Sequence, residues 1–520
     1  MNRRSFLLFV LSATLLTAGC KKDFTTLNTN PDLITSGQIN FNYLFTNAEL
    51  QTSGNTDGNG YEDWRNNLIY SGCMVQHLSS TLSYWDGDKY LYNSGYNSAY
   101  WDENYPNAIA NMAEVIQHTK NDSSQINLYQ IARIFRAFMF QRMTDMYGDC
   151  PYFQAGLGYI SNVTAPPYDR QQDIYSNLLQ ELQDAAGRLD STLPNTVGAA
   201  DLLYGGNTTA WKKFAWSEMV RVAMRMSKVA PDNARQWVSL ALQQGVMSGY
   251  ADNAVLQHQA VTGTPVVNGS GLILVGNDPN GSRLSQTLVN FLRSSADPRL
   301  GCLGTVCADP TVPGDKGDTG TARQLGQPNG YDPPNSGTPY DLIKAPGWPG
   351  NANDYSVVNR YTFARLDAPT FFLTAGETQL LLAEAAQRGW ITGDPAGYFT
   401  AGVRAAMEQL AQQAGAGPSK AAIDAWLSAN PYNGSLQQIN TQYWVAGFMD
   451  ENECFANWRR SGYPVLTPVN YPGNVTGVTI PRRFTYPQSE VSANTANYNA
   501  AVSRLSGGDK MTSRVWWDVE

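Results

Sequence analysis

Histidine and positive charge are both scarce in this sequence of 520 residues. The three histidines, His77, His118 and His258, are far apart and lack the close spacing of zinc sites and metalloprotease helices. The formal net charge is −8 and the isoelectric point is near 5.1, so there is no basic footprint for nucleic acid or anionic lipid. We predict no metal site, no cofactor and no nucleic-acid partner.

Long apolar runs are missing except at the N-terminus. Arg3 and Arg4 precede an apolar run from Phe6 to Leu16, which is too short to span a bilayer and is typical of a signal peptide. Small residues lead from this run to Cys20 and resemble a lipobox, although leucine lies one place further from the cysteine than is usual. We predict that residues 1–19 are a lipoprotein signal peptide and that Cys20 is lipidated, with ordinary secretion as the alternative.

The short polar stretch that follows, up to about Gly37, is predicted to be a flexible tether. Cys20 and this tether therefore occupy residues 20–37, and the remaining residues, 38–520, are enough for one large folded unit or for two to four smaller domains. A chain with 42% hydrophobic and 15% charged residues can bury a large core.

The cysteines do not form a disulfide framework, because five remain once Cys20 is assigned to lipid. Cys302 and Cys307 are close enough in sequence to close one small loop, and whether they do is left open. The other three cysteines stand in apolar helical or turn contexts that favour buried, inert thiols: Cys73, Cys150 and Cys454.

Helical periodicity dominates the chain. Apolar residues recur on one face from Ile131 to Met146 and again from Trp211 to Met226, which predicts two buried helices. Further amphipathic stretches are 61–82, 101–119, 173–189, 233–246, 373–388, 397–413 and 442–459. We therefore predict an all-α fold, helical over 38–250 and 370–460, with an irregular C-terminal part at 461–520.

Residues 251–369 differ in character, being rich in Gly, Pro, Asn and Asp. We predict a loop-rich excursion with brief β-like pieces at Leu272–Val275 and Ser356–Phe363. Loops of this length in a globular protein are usually functional or disordered, and this one carries Tyr331, Tyr340 and Trp348. We therefore predict a functional role for this loop-rich region rather than disorder.

Two groups of acidic residues raise the question of catalysis. Glu377 and Glu384 share one face of a predicted helix and could mimic the paired carboxylates of a glycoside hydrolase, but acids in such an apolar helix more often pair with arginines of a neighbouring helix. The same structural interpretation applies to the acids from Asp450 to Glu453 and the nearby arginines.

Asp309, Asp315 and Asp318 match no calcium-binding motif, and bound calcium is left open.

Aromatic residues are the informative excess, with 28 tyrosines and 13 tryptophans. Sugars bind where a ring stacks on the apolar face of a pyranose and polar side chains meet its hydroxyl groups. We predict that the ligand-binding residues come from one aromatic segment and from the long loop: Tyr84, Trp85, Asp86, Trp348, Asn353 and Tyr355.

Several segments, in order, resemble the SusD/RagB family of nutrient-binding outer-membrane lipoproteins. They are DMYGDCPY from Asp145, YDRQQDIYSNLLQEL from Tyr168, DLLYGGNTTAWKKFAWS from Asp201, FFLTAGETQLLLAEAAQRG from Phe371, ECFANWRRSGYP from Glu453 and RRFTYPQSEVSAN from Arg482. Phe455 stands where the family often has tryptophan, which is a change on the scale of side-chain packing.

The resemblance implies a single SusD-like domain of tetratricopeptide-like helix pairs with a loop-rich remainder packed on them. It also implies a non-catalytic lipoprotein of the cell outer membrane, facing outwards, that captures glycan and delivers it to a SusC-like TonB-dependent transporter. A peptide or glycopeptide binder of the same family, and a glycoside hydrolase using Glu377 and Glu384, are the alternatives. The sequence does not identify the glycan, its linkage or its length.

Overall fold

The computed structural model describes residues 39–415 and 417–520. The predicted signal peptide, Cys20 and most of the tether lie outside the described residues. Residues Asn42–Glu520 form one compact unit, and of the preceding unit, Met1–Phe41, only residues 39–41 are described.

The N-terminal part consists of α-helices, most of them amphipathic or wholly buried. They are α1 (Phe41–Thr52), α2 (Ser94–Asn104), α3 (Ala110–Thr119), α4 (Ile126–Tyr147), α5 (Gly158–Ser161), α6 (Gln171–Arg188), α7 (Thr208–Arg225) and α8 (Pro231–Gln244). Successive long helices pack as antiparallel neighbours, α4 against α6, α6 against α7 and α7 against α8. A π-helix, Asp63–Gly72, stands between α1 and α2.

The loop-rich part contains short elements: α9 (Gly269–Leu272), α10 (Gln286–Ser294) and α11 (Leu300–Leu303). Its strands form three antiparallel pairs with β1 (Leu78–Ser80), β2 (Ala254–Leu256), β3 (Ser282–Leu284), β4 (Gly304–Thr305), β5 (Val357–Val358) and β6 (Thr370–Leu373). β1 pairs with β3, β2 with β6 and β4 with β5. The β1–β3 pair fastens the N-terminal aromatic segment to the long loop.

The second helical part carries α12 (Ala375–Gln387), α13 (Pro395–Glu408), α14 (Lys420–Ala429), α15 (Leu436–Ala446) and α16 (Glu451–Ser461), followed by α17 (Gln488–Ala493) and α18 (Thr495–Val502). α12 packs against α13 and α15. A capping box starts α12, because Thr374 accepts a hydrogen bond from the N–H of Glu377 while the Glu377 carboxylate accepts one from the N–H of Thr374.

The predicted all-α fold of tetratricopeptide-like helix pairs is confirmed. Three local predictions were wrong. Leu272–Val275 lies in α9 and a following π-helix (Ile273–Asn277) rather than in a strand, because Asn268 caps a helix there by accepting from the N–H of Gly271 at 2.7 Å. The predicted helix at 61–82 ends at Gly72 and gives way to β1, and the one at 442–459 is interrupted where Met449 has a φ of +77°.

Candidate ligand-binding site

The turn from Asp86 to Tyr90 lies directly on the π-helix. A Cβ atom at Gly87 would be 1.8 Å from the carbonyl oxygen of Ile69, so only glycine allows this approach. The Tyr90 hydroxyl group accepts a hydrogen bond from the N–H of Val469 at 3.2 Å. The aromatic segment before this turn is therefore held in a fixed place against the helical body.

Three aromatic side chains converge on the carboxylate of Asp278. The indole N–H of Trp85 donates to its Oδ2 atom at 2.5 Å, and that of Trp64 donates to the same atom at 3.2 Å. The Tyr84 hydroxyl group also donates to it. Burial raises the pKa of Asp278, and the three hydrogen bonds act in the opposite direction. Asp278 thus orients the rings on either side of it.

A positive charge completes this group of rings. The guanidinium carbon of Arg65 lies 3.5 Å from the ring centroid of Tyr61, 4.7 Å from that of Trp64 and 6.0 Å from that of Tyr96. The rings of Trp64 and Tyr84 meet edge to face at 6.2 Å. Tyr84 is 42% exposed, and the other members are partly exposed.

We call this group the aromatic surface: Tyr61, Trp64, Arg65, Tyr84 and Tyr96, with Asp278 beneath them. Of these residues, only Tyr84 belongs to the site predicted from the sequence.

 Trp64, Tyr61 and Arg65 carried no signal beyond their helical spacing, and Asp278 lies 214 residues after Trp64, in a loop. Sequence patterns of short range do not detect such a contact.

The structure overturns one role predicted for Trp85. Its side chain is 0% exposed, and a Cβ atom at Gly281 would lie 2.5 Å from its ring, so neither face is open to a ligand. Trp85 is instead a buried support whose indole N–H holds Asp278. The ring that takes the outward place is Trp64.

Trp348 and Tyr355 are brought together, with ring centroids 6.0 Å apart. Tyr355 is 1% exposed and packs in an apolar cluster with Leu342 and Ala345, so its predicted role as a stacking ring does not fit its burial. Trp348 is partly exposed at the edge of this cluster. Of the two rings, only Trp348 can present a face to a ligand.

Asn353 is connected to the region of the aromatic surface through a buried arginine. The Arg283 guanidinium group donates to the Oδ1 atom of Asn280 at 2.6 Å and to that of Asn353 at 3.2 Å. Burial lowers the pKa of Arg283 to about 10. The side-chain N–H of Asn353 donates to the carbonyl oxygen of Ala308 at 2.9 Å. Both ends of this amide are therefore engaged by the protein.

Asp86 stands between two groups of rings. Burial raises the pKa of Tyr96, on the aromatic surface, and that of Tyr471, and the charge of Asp86 adds to both shifts. The Tyr471 ring packs against that of Tyr340 at 5.0 Å. Burial raises the pKa of Asp86 itself to about 6, against the opposing effect of Lys89. Its carboxyl group is a partly exposed acceptor that titrates near pH 6.

The acidic residues considered for catalysis are buried in ion pairs, and the prediction that they pair with arginines is confirmed. Glu384 binds Arg460 through two hydrogen bonds, at 2.7 and 2.8 Å. Burial acts to raise the pKa of Glu384, but Arg460 and Arg388 outweigh it and lower the pKa to about 2. Glu377 pairs with Arg221 at 3.1 Å and is 2% exposed.

The acids at the start of α16 likewise pair with other parts of the chain. Asp450 binds Arg142, and Glu453 binds Arg225 at 2.5 Å.

Within the described ranges, the one group of three or more residues compact enough for a metal ion is His77, Glu451 and Cys454. All three are buried, and the Nδ1 atom of His77 already lies 2.6 Å from Glu451, which is the geometry of a hydrogen bond.

Two questions left open by the sequence concern the long loop. Cys302 and Cys307 are separate thiols, near the carbonyl oxygens of Pro298 and Asp315 respectively. The carboxylates of Asp309, Asp315 and Asp318 accept hydrogen bonds from backbone N–H groups of their own loop. They stabilise turns there.

In the part of the chain that the structure describes, no helix has both the length and the apolar character needed to cross a membrane.

This chain is similar in sequence and in fold to known proteins. The profile of a SusD-like family, described as starch-binding and associating with the outer membrane, matches residues 33–487. A solved chitin-binding protein is 33% identical, with 92% of this chain and 100% of that chain covered and a TM-score of 0.79. A Bacteroidetes SusD-like protein, AC2a, is 28% identical, with 93% and 100% covered and a TM-score of 0.81.

A chitin-binding SusD homologue from Flavobacterium johnsoniae is 22% identical, with 92% and 99% covered and a TM-score of 0.72, and shows the shared fold. A search of curated proteins found no match.

Proposed function

The chain belongs to the SusD-like family, and from this premise we propose that it captures oligosaccharide at the cell surface through the aromatic surface and hands it to a membrane transporter. Members of the family are glycan-binding proteins of the outer membrane and not enzymes. The observation that carries the proposal is the convergence of Trp64 and Tyr84, both with exposed area, on the carboxylate of Asp278.

The chemistry of these groups suits a pyranose. The rings of Trp64 and Tyr84 offer apolar area for the C–H face of a sugar, while Arg65 and Asp86 offer a donor and an acceptor for its hydroxyl groups. Of the residues predicted from sequence, Tyr84, Asp86 and Trp348 stay in the proposed site, whereas the amide of Asn353 is engaged by the protein at both ends. Trp85 supports it through Asp278, and Tyr355 packs against Trp348.

The 33% identical chitin-binding protein makes chitin-derived oligosaccharides the first ligands to test, and the family description makes malto-oligosaccharides the second. We expect calorimetry to detect binding of one glycan series by the wild-type chain. Losing a central ring of a binding site commonly costs about 2 kcal/mol or more, so Trp64→Ala should weaken binding by about thirtyfold. Trp390→Ala, a partly exposed tryptophan on the turn after α12, is the matched control.

Binding of peptides with no glycan binding would favour the peptide-binding alternative of the same family. Unchanged affinity in Trp64→Ala would contradict the proposed placement. The hydrolase alternative has a separate readout, because it requires release of reducing sugar from bound glycan. We expect none, since Glu377 and Glu384 are 2% and 1% exposed and occupied by arginines.

Delivery rests on the resemblance and on the predicted lipid. We propose that Cys20 anchors the chain in the outer membrane and that residues 21–37 let the body close over a SusC-like TonB-dependent transporter. Cys20→Ala should no longer incorporate labelled palmitate. Affinity purification of the tagged wild-type chain from mild detergent should recover one transporter barrel in near-equal amount. Recovery of the chain alone, where another barrel complex stays intact, would refute the partnership.

A further inference from the structure

An open cleft of about 710 Å³ lies in the loop-rich part of the molecule. It is bounded by the loop after β4 and by the segment around β5. The side chains that line it are polar or charged, apart from the aromatic ring of Tyr361. They belong to Lys316, Asp318, Arg323, Asn353, Asp354 and Tyr361. Asn353 is the only one of them that belongs to the predicted site, and none belongs to the aromatic surface.

The wall of the cleft is held in place before any ligand arrives. The buried guanidinium group of Arg360 donates to the carbonyl oxygens of Val312 at 3.0 Å and Asp315 at 2.8 Å. The Asp315 carboxylate in turn accepts from the N–H groups of Asp309 at 2.9 Å and Gly317 at 3.1 Å. A preformed wall lowers the entropy lost on binding.

Several groups in the cleft are available to a ligand. Tyr361 is 43% exposed, and one side of its ring is 5.4 Å from the Lys316 ammonium group. Arg323 and Asp354 are exposed, and neither forms an ion pair with a residue in the described ranges. An exposed ring beside a free guanidinium group and a free carboxylate can stack on one pyranose and bind its hydroxyl groups.

The cleft and the aromatic surface are joined by one short segment. Asp278 lies beneath the aromatic surface, and Arg283, five residues later, donates to Asn353 in the wall of the cleft. Five residues span at most about 17 Å when fully extended. An oligosaccharide of several units covers such a distance.

We propose that the cleft is a second glycan subsite, which binds further pyranose units of the same oligosaccharide that the aromatic surface holds. This inference rests on the proposed function. Short oligosaccharides then occupy the aromatic surface alone, whereas long ones bind at both sites. Once one end of a long oligosaccharide is bound, its other end is at a high effective concentration near the cleft, which raises the overall affinity.

The test compares a chitin-derived disaccharide with the hexasaccharide by calorimetry. We expect the wild-type chain to bind the hexasaccharide at least tenfold more tightly. The double variant Tyr361→Ala, Asp354→Ala should lose that preference and keep the wild-type affinity for the disaccharide. Tyr250→Ala, which removes a ring of similar exposure (41%) outside both sites, should change neither affinity.

A double variant that keeps the wild-type preference for the hexasaccharide would overturn the subsite while leaving the proposed function intact. Failure of the wild-type chain to bind the disaccharide and hexasaccharide of both the chitin series and the malto series would overturn the subsite and the proposed function together. Because Tyr361 and Asp354 are exposed, circular dichroism should show that the double variant remains folded.

Discussion

The helical body and the loop-rich side of this protein use the same side chains in opposite ways. Around α7, α12 and α16, carboxylates and arginines are buried and bind one another, as Glu384 binds Arg460. At the aromatic surface, the contacts described for the guanidinium group of Arg65 are with aromatic rings and not with carboxylates. The carboxyl group of Asp86 is partly exposed there. Residue type therefore does not distinguish a structural charge from a binding charge. Burial and the identity of the partner do.

This difference explains why the helical acids are poor candidates for catalysis. A glycoside hydrolase needs two carboxyl groups that reach the glycosidic bond from opposite sides. Glu377 caps its own helix and binds Arg221, whereas Glu384 is enclosed by Arg460, Arg388 and Asn440. Neither carboxylate has a face towards solvent.

The largest expected effect lies in the helical body. Glu384→Gln removes the negative charge that neutralises the buried Arg460, and breaking a buried pair in this way typically costs about 3–5 kcal/mol. We expect that loss in the free energy of unfolding, measured with urea. Lys420→Ala, in a pair whose lysine is 81% exposed, should change it by about 1 kcal/mol or less. Equal losses in the two variants would erase the contrast between buried and exposed charges.

The second prediction distinguishes the buried tryptophan that supports the candidate site, Trp85, from the partly exposed one proposed to contact the ligand, Trp64. Trp85→Ala should lower the free energy of unfolding by about 3–5 kcal/mol, because it empties a buried space and leaves Asp278 without one donor. Trp64→Ala should lower it far less, because Trp64 is partly exposed. Chemical denaturation of both variants checks this. The reverse order would contradict the role of Trp85 as a buried support.

The smallest expected effect is on the pH dependence of glycan binding. The pKa of Asp86 is raised to about 6 by burial, with Lys89 and Asn93 opposing and Asp88 adding to the shift. As the pH falls through about 6 the carboxylate gains a proton and becomes a weaker acceptor, so affinity should fall a few-fold. The stability trend has the opposite sign: since the folded-state pKa is above the usual 3.8, the contribution of Asp86 to stability declines as the pH rises from about 4 to about 6.

Calorimetry at several pH values, on the wild-type chain and on Asp86→Asn, measures the effect on binding. The variant should show a flatter pH profile. A profile identical to that of the wild-type chain would assign the titration to another group, for which Asp278 is the neighbouring carboxylate with a raised pKa.

Much of the helical architecture was open to prediction from the sequence by itself. The apolar faces of α4 and α7 repeat at helical spacing, and spacing of that kind depends only on neighbours along the chain. The pairing of Glu384 with an arginine of another helix was also predictable, because a carboxylate in so apolar a helix needs a partner. The signal peptide and the lipid on Cys20 stay predictions, since they lie outside the described residues.

Only the tertiary structure decided which rings of the aromatic segment face outwards. Trp85 and Tyr84 are adjacent in the sequence, yet the first is buried against Gly281 and the second is 42% exposed. The pairing of β1 with β3 brings Asp278 to Trp64 and Trp85, which precede it by 214 and 193 residues. No periodicity records such a contact, because it depends on where a long loop returns to the helical body, and that is determined by packing over the whole domain.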